Sequence, residues 1–174
     1  MSLKDLADAL PDYARDIRIN VGALLDDETL GEQRKYGLLL ACAHGTGYRP
    51  VVIAAEAEAA GRLSEQAADA ARGAAALMAM NNVYFRFIHL CSNPDYATLP
   101  SRLRMNTLCT PGIDKDDFEL FSLALSAMNG CGMCIDSHER VLQKHGVSTL
   151  TMQAAARTAA VLRALATVHA TLPA

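Results

Sequence analysis

The sequence predicts an all-α chain, and three observations lead there. No segment of its 174 residues sustains the period-two alternation of a half-buried strand. Alanine is abundant while aromatic residues make up only 5%, a mixture that favours helices packed closely through small side chains. Stretches of helical periodicity are also separated by start and stop residues of the expected kinds. With 51% hydrophobic and 20% charged residues the composition is globular. The length suits one helical domain, 1–174.

The elements follow in order. Ser2, with Asp5 three residues on, predicts a capped helix over 2–10. Pro11 suits the first helical position and opens a second helix to about residue 25. A third spans 28–43, its apolar face carrying Leu30, Tyr36, Leu39, Leu40 and Ala43, and Gly45-Thr46-Gly47 breaks it. Residues 50–60 form an alanine-rich helix. Ser64 caps a longer one reaching about residue 80, with Leu77 and Met80 towards the core. The stretch 91–110, with Pro94 and Pro100, reads mostly as loop with one helical turn. Asp114 caps a helix to about residue 128, with Asp116 and Asp117 in the first turn, where the macrodipole favours negative charge. Asn129-Gly130 turns the chain into a helix that opens near Cys131 and stops at Lys144-His145-Gly146, with His145 capping its end. Ser148 or Thr149 begins the last helix, to about residue 171.

A shift of about 85 residues lays Leu38, Gly45, Ala70, Ala71, Arg72, Ala74, Ala75 and Leu77 on Leu123, Gly130, Ala155, Ala156, Arg157, Ala159, Ala160 and Leu162. This suggests a degenerate internal repeat of helix-turn-helix units, one half at about 28–90 and the other at about 111–172. Thr46 and Arg49 stand in the first turn where Cys131 and Cys134 stand in the second. Only the second half carries reactive groups there.

A formal net charge of -3 gives no reason to expect nucleic acid or an acidic membrane surface as partner. No apolar stretch approaches a membrane span, and residues 1–10 lack the basic-then-apolar layout of a signal peptide. The expected location is therefore the cytoplasm. Five cysteines, an odd number in a compartment that keeps thiols reduced, argue against a structural disulfide framework. Cys42, Cys91 and Cys109 read as isolated buried or incidental thiols. Likewise His44, His89 and His169 read as structural or exposed.

Cys131 and Cys134 are set apart by their spacing. Residues i and i+3 at a helix start share a face and can close a disulfide with modest adjustment. The helix N-terminus stabilises a thiolate, the reactive form, and a second thiol nearby protects a sulfenic acid from over-oxidation. His138 lies one turn beyond Cys134 on the same face, and imidazole is the side chain best suited to pass protons near neutral pH. The Asn129-Gly130 turn folds the preceding helix back, so that Glu119 can approach His138 or the cysteines, orienting the imidazole or relaying a proton. The dipole favours Cys131 as the more acidic thiol, whereas adjacency to His138 favours Cys134. A CxxC pair also serves as a metal half-site, but only His138 and His145 could complete it here. One run on one helix encloses a metal poorly, and no second CxxC exists.

The pattern Glu119, eleven residues, Cys131, two residues, Cys134, three residues, His138 closely resembles the alkyl hydroperoxide reductase D (AhpD) family, within the carboxymuconolactone decarboxylase-like superfamily. The flanks Phe118-Glu119-Leu120-Phe121, Asn129-Gly130-Cys131 and Ser137-His138-Glu139 share in it. So do residues 10–17, Met80-Asn81-Asn82-Val83-Tyr84, Leu103-Arg104-Met105-Asn106 and Pro111-Gly112-Ile113.

The resemblance implies an all-helical, internally repeated homotrimer. It would reduce alkyl hydroperoxides and hydrogen peroxide and recycle a peroxiredoxin, alkyl hydroperoxide reductase C. Electrons would come from dihydrolipoamide on a lipoylated acyltransferase, recharged by lipoamide dehydrogenase with NADH, with no bound cofactor or metal. Carried over residue by residue, Cys134 becomes the sulfenic acid, Cys131 donates a proton and resolves it as the Cys131–Cys134 disulfide, and His138 and Glu119 relay protons. Relatives can carry a second histidine just before the second cysteine. Here that position is Met133, so the relay runs through Glu119, His138 and water. Two rival readings are a carboxymuconolactone decarboxylase-like enzyme, which needs no dithiol, and a CxxC metal-binding or thiol-sensing protein.

Overall fold

A reciprocal cap starts the chain: Ser2 Oγ accepts from the Asp5 amide at 3.0 Å while the Ser2 amide donates to Asp5 Oδ2 at 2.7 Å, opening α1 (Leu3–Asp8). This computed structural model describes residues 1–106 and 110–172, all helix, turn and loop, with no strand among them. Cys109 lies outside the described residues. Pro11 does not open an α-helix. It adopts an extended backbone, ψ 164°, ahead of a 3-10 turn at Asp12–Ala14. Ala14 then departs from helical geometry, so α2 runs Arg15–Asp26.

Next, α3 (Gly31–Thr46) continues through Gly45 and Thr46 and stops only at Gly47, whose φ of 69° supplies the left-handed cap. Gly45 is helical because of packing. A Cβ there would stand 2.5 Å from Leu125 Cδ2, and one at Gly37 would stand 2.2 Å from Phe121 Cζ. These two glycines, eight residues apart on one face, let the helix that carries Phe121 and Leu125 lie directly against α3.

Helix α4 (Arg49–Ala59) is followed by α5 (Glu65–Leu90), capped by Ser64 as expected. It runs ten residues past the expected end near Met80. Asn81, Asn82 and the aromatic and β-branched residues after them are weak helix formers. Tertiary hydrogen bonds hold them in place: Asn82 Nδ2 donates to Ser126 Oγ at 3.0 Å, and Asn129 Nδ2 donates to Asn82 Oδ1 at 2.9 Å. Arg86 donates to the Asn129 carbonyl. The single turn expected in the following stretch is α6 (Asp95–Thr98).

The remaining helices are α7 (Lys115–Met128), α8 (Gly132–Lys144) and α9 (Thr149–Thr171), capped by Asp114, Cys131 and Ser148. Their starts lie 83 or 84 residues beyond those of α3, α4 and α5, so the same three-helix order occurs twice along the chain. At the centre, α3 and α7 pack on each other and both touch α5 and α9. Leu38, Leu39, Leu40, Phe118, Phe121, Leu125, Leu162 and Leu165 are all essentially inaccessible there. Asp117, buried in that region, accepts from Arg34 Nε at 2.6 Å and Gln33 Nε2 at 2.8 Å, which fixes the rotation of α7 against α3. Among the described residues, no helix is long and apolar enough to cross a membrane.

Candidate active site

The hairpin α7–α8 brings together the residues singled out in the sequence. Gly130 turns the chain with φ 66°, and the Cys131 amide donates to the Ser126 carbonyl at 3.1 Å, tying the first residue of the turn's exit to the end of α7. Cys131 caps α8, and Cys134 lies in its first turn. The two are joined as a disulfide with Cα atoms 5.2 Å apart. Their surroundings differ. Cys131 is fully buried, whereas Cys134 forms part of the wall of a cavity of about 320 Å³.

Glu119 projects from α7 and His138 from α8, and they meet: His138 Nδ1 lies 2.6 Å from Glu119 Oε2. Of the two partners open to Glu119, the folded chain brings it to the histidine. Both side chains are nearly nine-tenths buried, so a carboxylate–imidazole contact there is little screened by water. With Nδ1 committed to Glu119, Nε2 is the ring nitrogen left to meet a substrate or a water. His138, Cys134 and Ser137 share the cavity wall with Met78, Asn81, Asn82 and Phe85 of α5 and with Met105 and Met133. Met133 therefore contributes apolar surface at the place where a proton-passing side chain was considered.

Sequence reading missed the contribution of α5. Asn82, Asn129, Ser126 and Arg86 form a hydrogen-bonded clamp that holds the hairpin turn against this helix. Its one visible signal was the Met80–Tyr84 stretch, five residues whose polar pair interrupts an otherwise alanine-rich helix.

The other histidines lie elsewhere. His145 caps α8 through its backbone and pairs its ring with Asp116. His169 Nε2 lies 2.8 Å from the Leu6 carbonyl, and His89 is exposed. His44 meets Glu56 at 2.8 Å, and Arg72 binds both oxygens of that carboxylate. Those hydrogen bonds, chiefly from Arg72, hold Glu56 down at about 2. Cys42 is fully buried, and burial pushes its thiol up to about 12, so it is inert as a nucleophile; Cys91 is partly buried.

Two comparisons with known proteins found matches. Residues 94–174 match the carboxymuconolactone decarboxylase family. The chain is 70% identical over 171 residues to "Alkyl hydroperoxide reductase AhpD" of Rhizorhabdus wittichii, covering 98% of this chain and 99% of that one. It is 59% identical to the protein of the same name from Rhodopseudomonas palustris strain BisA53, across 95% and 92% of the two chains. A third, from Methylocella silvestris, is 52% identical, across 100% and 99%. With likeness of this degree running end to end, the chain belongs to the alkyl hydroperoxide reductase AhpD family.

Proposed function

We propose that the chain is a thiol peroxidase that reduces alkyl hydroperoxides and hydrogen peroxide through the Cys131–Cys134 pair. The observation that carries this reading is a disulfide with one sulfur-bearing residue on a cavity wall beside a Glu119–His138 pair and the other fully buried behind it. In the reduced protein, the Cys134 thiolate attacks the hydroxyl oxygen of R–O–O–H. The S–O bond forms as the O–O bond breaks, and the electron pair leaves on the alkoxide, which takes a proton to become the alcohol. Sulfur is oxidised to the sulfenic acid and the peroxide is reduced. Cys131 then attacks that sulfur, water leaves, and the disulfide closes.

Glu119 orients the imidazole through Nδ1, so that Nε2 moves the proton the alkoxide or hydroxide needs. Exposure orders the thiols. An incoming peroxide reaches the residue on the cavity wall, while a buried partner can act only on a sulfur already beside it. The helix dipole favours Cys131, at the N-cap of α8, but a thiol closed off from the cavity does not meet the incoming peroxide.

To return to the dithiol, the disulfide needs a two-electron reductant. Dihydrolipoamide on a lipoylated acyltransferase, recharged by lipoamide dehydrogenase and NADH, fits that need, since a 1,3-dithiol closes its own ring as it delivers two electrons. The same exchange chemistry extends to regenerating a peroxiredoxin, alkyl hydroperoxide reductase C. We place this activity in the cytoplasm and in a homotrimer. The exposed apolar side chains of Val83, Phe87 and Leu90 along α5 supply surface of the kind subunits bury. The test is NADH oxidation coupled through lipoamide dehydrogenase and dihydrolipoamide to cumene hydroperoxide. Activity is expected in the native protein and background rates in Cys134→Ser and Cys131→Ser. Full turnover in both variants contradicts the proposal.

A further inference from the structure

The geometry points to Asn81 as the residue that holds the hydroperoxide group of an alkyl hydroperoxide beside Cys134, with the alkyl part lying on Met78, Phe85, Met105 and Met133. This rests on the peroxidase reading above and adds a binding residue to it.

Two neighbouring amides on α5 line the cavity, and they differ in one respect. Asn82 is fully engaged inside the protein: its Nδ2 donates to Ser126 and its Oδ1 accepts from Asn129. Asn81 is only 4% exposed, and its Oδ1 is buried with no hydrogen-bond partner among the described residues. Leaving a buried carbonyl oxygen unpaired is costly, which selects against it unless a ligand pairs it during function. The ligand must bring a donor to an amide on the wall that Cys134 shares. A hydroperoxide brings one O–H, on the oxygen that sulfur attacks. An amide that accepts from this O–H, or after a flip of its two ends donates to the peroxide oxygens, turns the O–O bond towards the sulfur without supplying or removing a proton.

The rest of the wall argues for the alkyl class. Met78, Phe85, Met105 and Met133 present two kinds of apolar surface, flexible thioethers and an aromatic ring, which adapt to hydrocarbon of varied shape. Hydrogen peroxide would meet the same amide but leave that surface uncovered. A cavity of about 320 Å³ is of the size that encloses a small organic molecule.

Initial rates with cumene hydroperoxide and dihydrolipoamide, each varied against the other, separate the two half-reactions. In Asn81→Leu, which keeps bulk but cannot hydrogen-bond, kcat/KM for cumene hydroperoxide should fall about tenfold, the factor for one lost hydrogen bond of about 1.4 kcal/mol. Meanwhile kcat/KM for dihydrolipoamide should stay within about twofold. Unchanged peroxide kinetics, or equal losses in both half-reactions, overturn the assignment.

Should the leucine variant fail to fold, the side-chain amide resonance of Asn81 is followed in folded Cys134→Ser protein as cumene hydroperoxide is added. A saturating shift is expected, and no shift overturns the inference. A native protein without peroxidase activity overturns the underlying reading, and this inference with it; an active native protein with an indifferent Asn81 overturns the inference alone.

Discussion

The two helical hairpins of this chain each hold a histidine against a glutamate, yet they are built for different ends. In α3–α4, His44 and Glu56 meet at 2.8 Å, and Arg72 from α5 takes both carboxylate oxygens. Thr46, the last residue of α3, has a hydroxyl that donates to the Ala43 carbonyl and accepts from the Tyr48 amide. His44, Thr46 and Glu56 are each held by a partner within the fold, and the result is a lock. In α7–α8, Glu119 and His138 meet at 2.6 Å with no arginine among the described residues bound to the carboxylate, and the turn leads into Cys131 and Cys134 beside a cavity. The lesson is that a His–Glu contact by itself carries no function. What separates the two is whether a fixed cation neutralises the carboxylate and whether a reactive atom stands within reach.

The largest expected effect breaks the symmetry outright. Cys134→Ser should bring peroxide turnover to background, while Thr46→Ser at the corresponding turn leaves it unchanged, both read in the coupled NADH assay. Next, Glu119→Gln should lower kcat/KM for peroxide by roughly 10²-fold, the scale of a lost acid–base group. Glu56→Gln should leave that rate intact and lower the melting temperature instead. A rate loss in Glu56→Gln as large as in Glu119→Gln would erase the distinction between lock and relay.

Smaller still is a packing effect between the hairpins. Gly37→Ala drives a methyl group into the Phe121 ring, which is buried and cannot swing away. Overpacking of that kind costs about 1–3 kcal/mol, against at most about 1 kcal/mol gained in helix propensity. Calorimetry should show a lowered melting temperature.

The smallest is a pH effect. Glu56 has its ionisation held at about 2, below the ordinary 4.5, chiefly by Arg72. A depressed carboxyl adds stability that is fully present above its unfolded value and is lost as pH falls from about 4.5 through about 2. Arg72→Ala should therefore move the midpoint of acid unfolding upward, modestly because Arg72 is 39% exposed and the pair is partly screened by solvent. Acid titration followed by circular dichroism measures it.

Much of this was legible in the residue order, for physical reasons. Caps at Ser2, Ser64, Asp114 and Ser148 are local events, a side-chain oxygen meeting an amide two or three residues on, and each starts a helix where the sequence predicts one. The disulfide is equally local, three residues within one turn. The Glu119–His138 contact was legible only as one of two options, because rotation of α7 is set by Arg34 and Gln33 on a distant helix. What could not be read depended on packing between elements. Gly45 looked like a breaker and is a contact point, since nothing local announces that Leu125 will press against it. The sequence predicts an early end for α5 because Asn81 and Asn82 disfavour a helix on their own, and the compensation comes through Asn82, from Ser126 and Asn129, more than forty residues away. Pro11 was read by the rule that proline opens helices, and the 3-10 turn after it deferred the start to Arg15.

The claim on which the account turns is that Cys134, on the cavity wall, is oxidised first and buried Cys131 follows. Reduced Cys131→Ser and Cys134→Ser proteins, each given one equivalent of cumene hydroperoxide in the presence of a dione trap for sulfenic acid, test this by mass spectrometry. The account predicts a rapid adduct on Cys134 in the first and little or none on Cys131 in the second. Trapping on Cys131 at an equal or greater rate would contradict it.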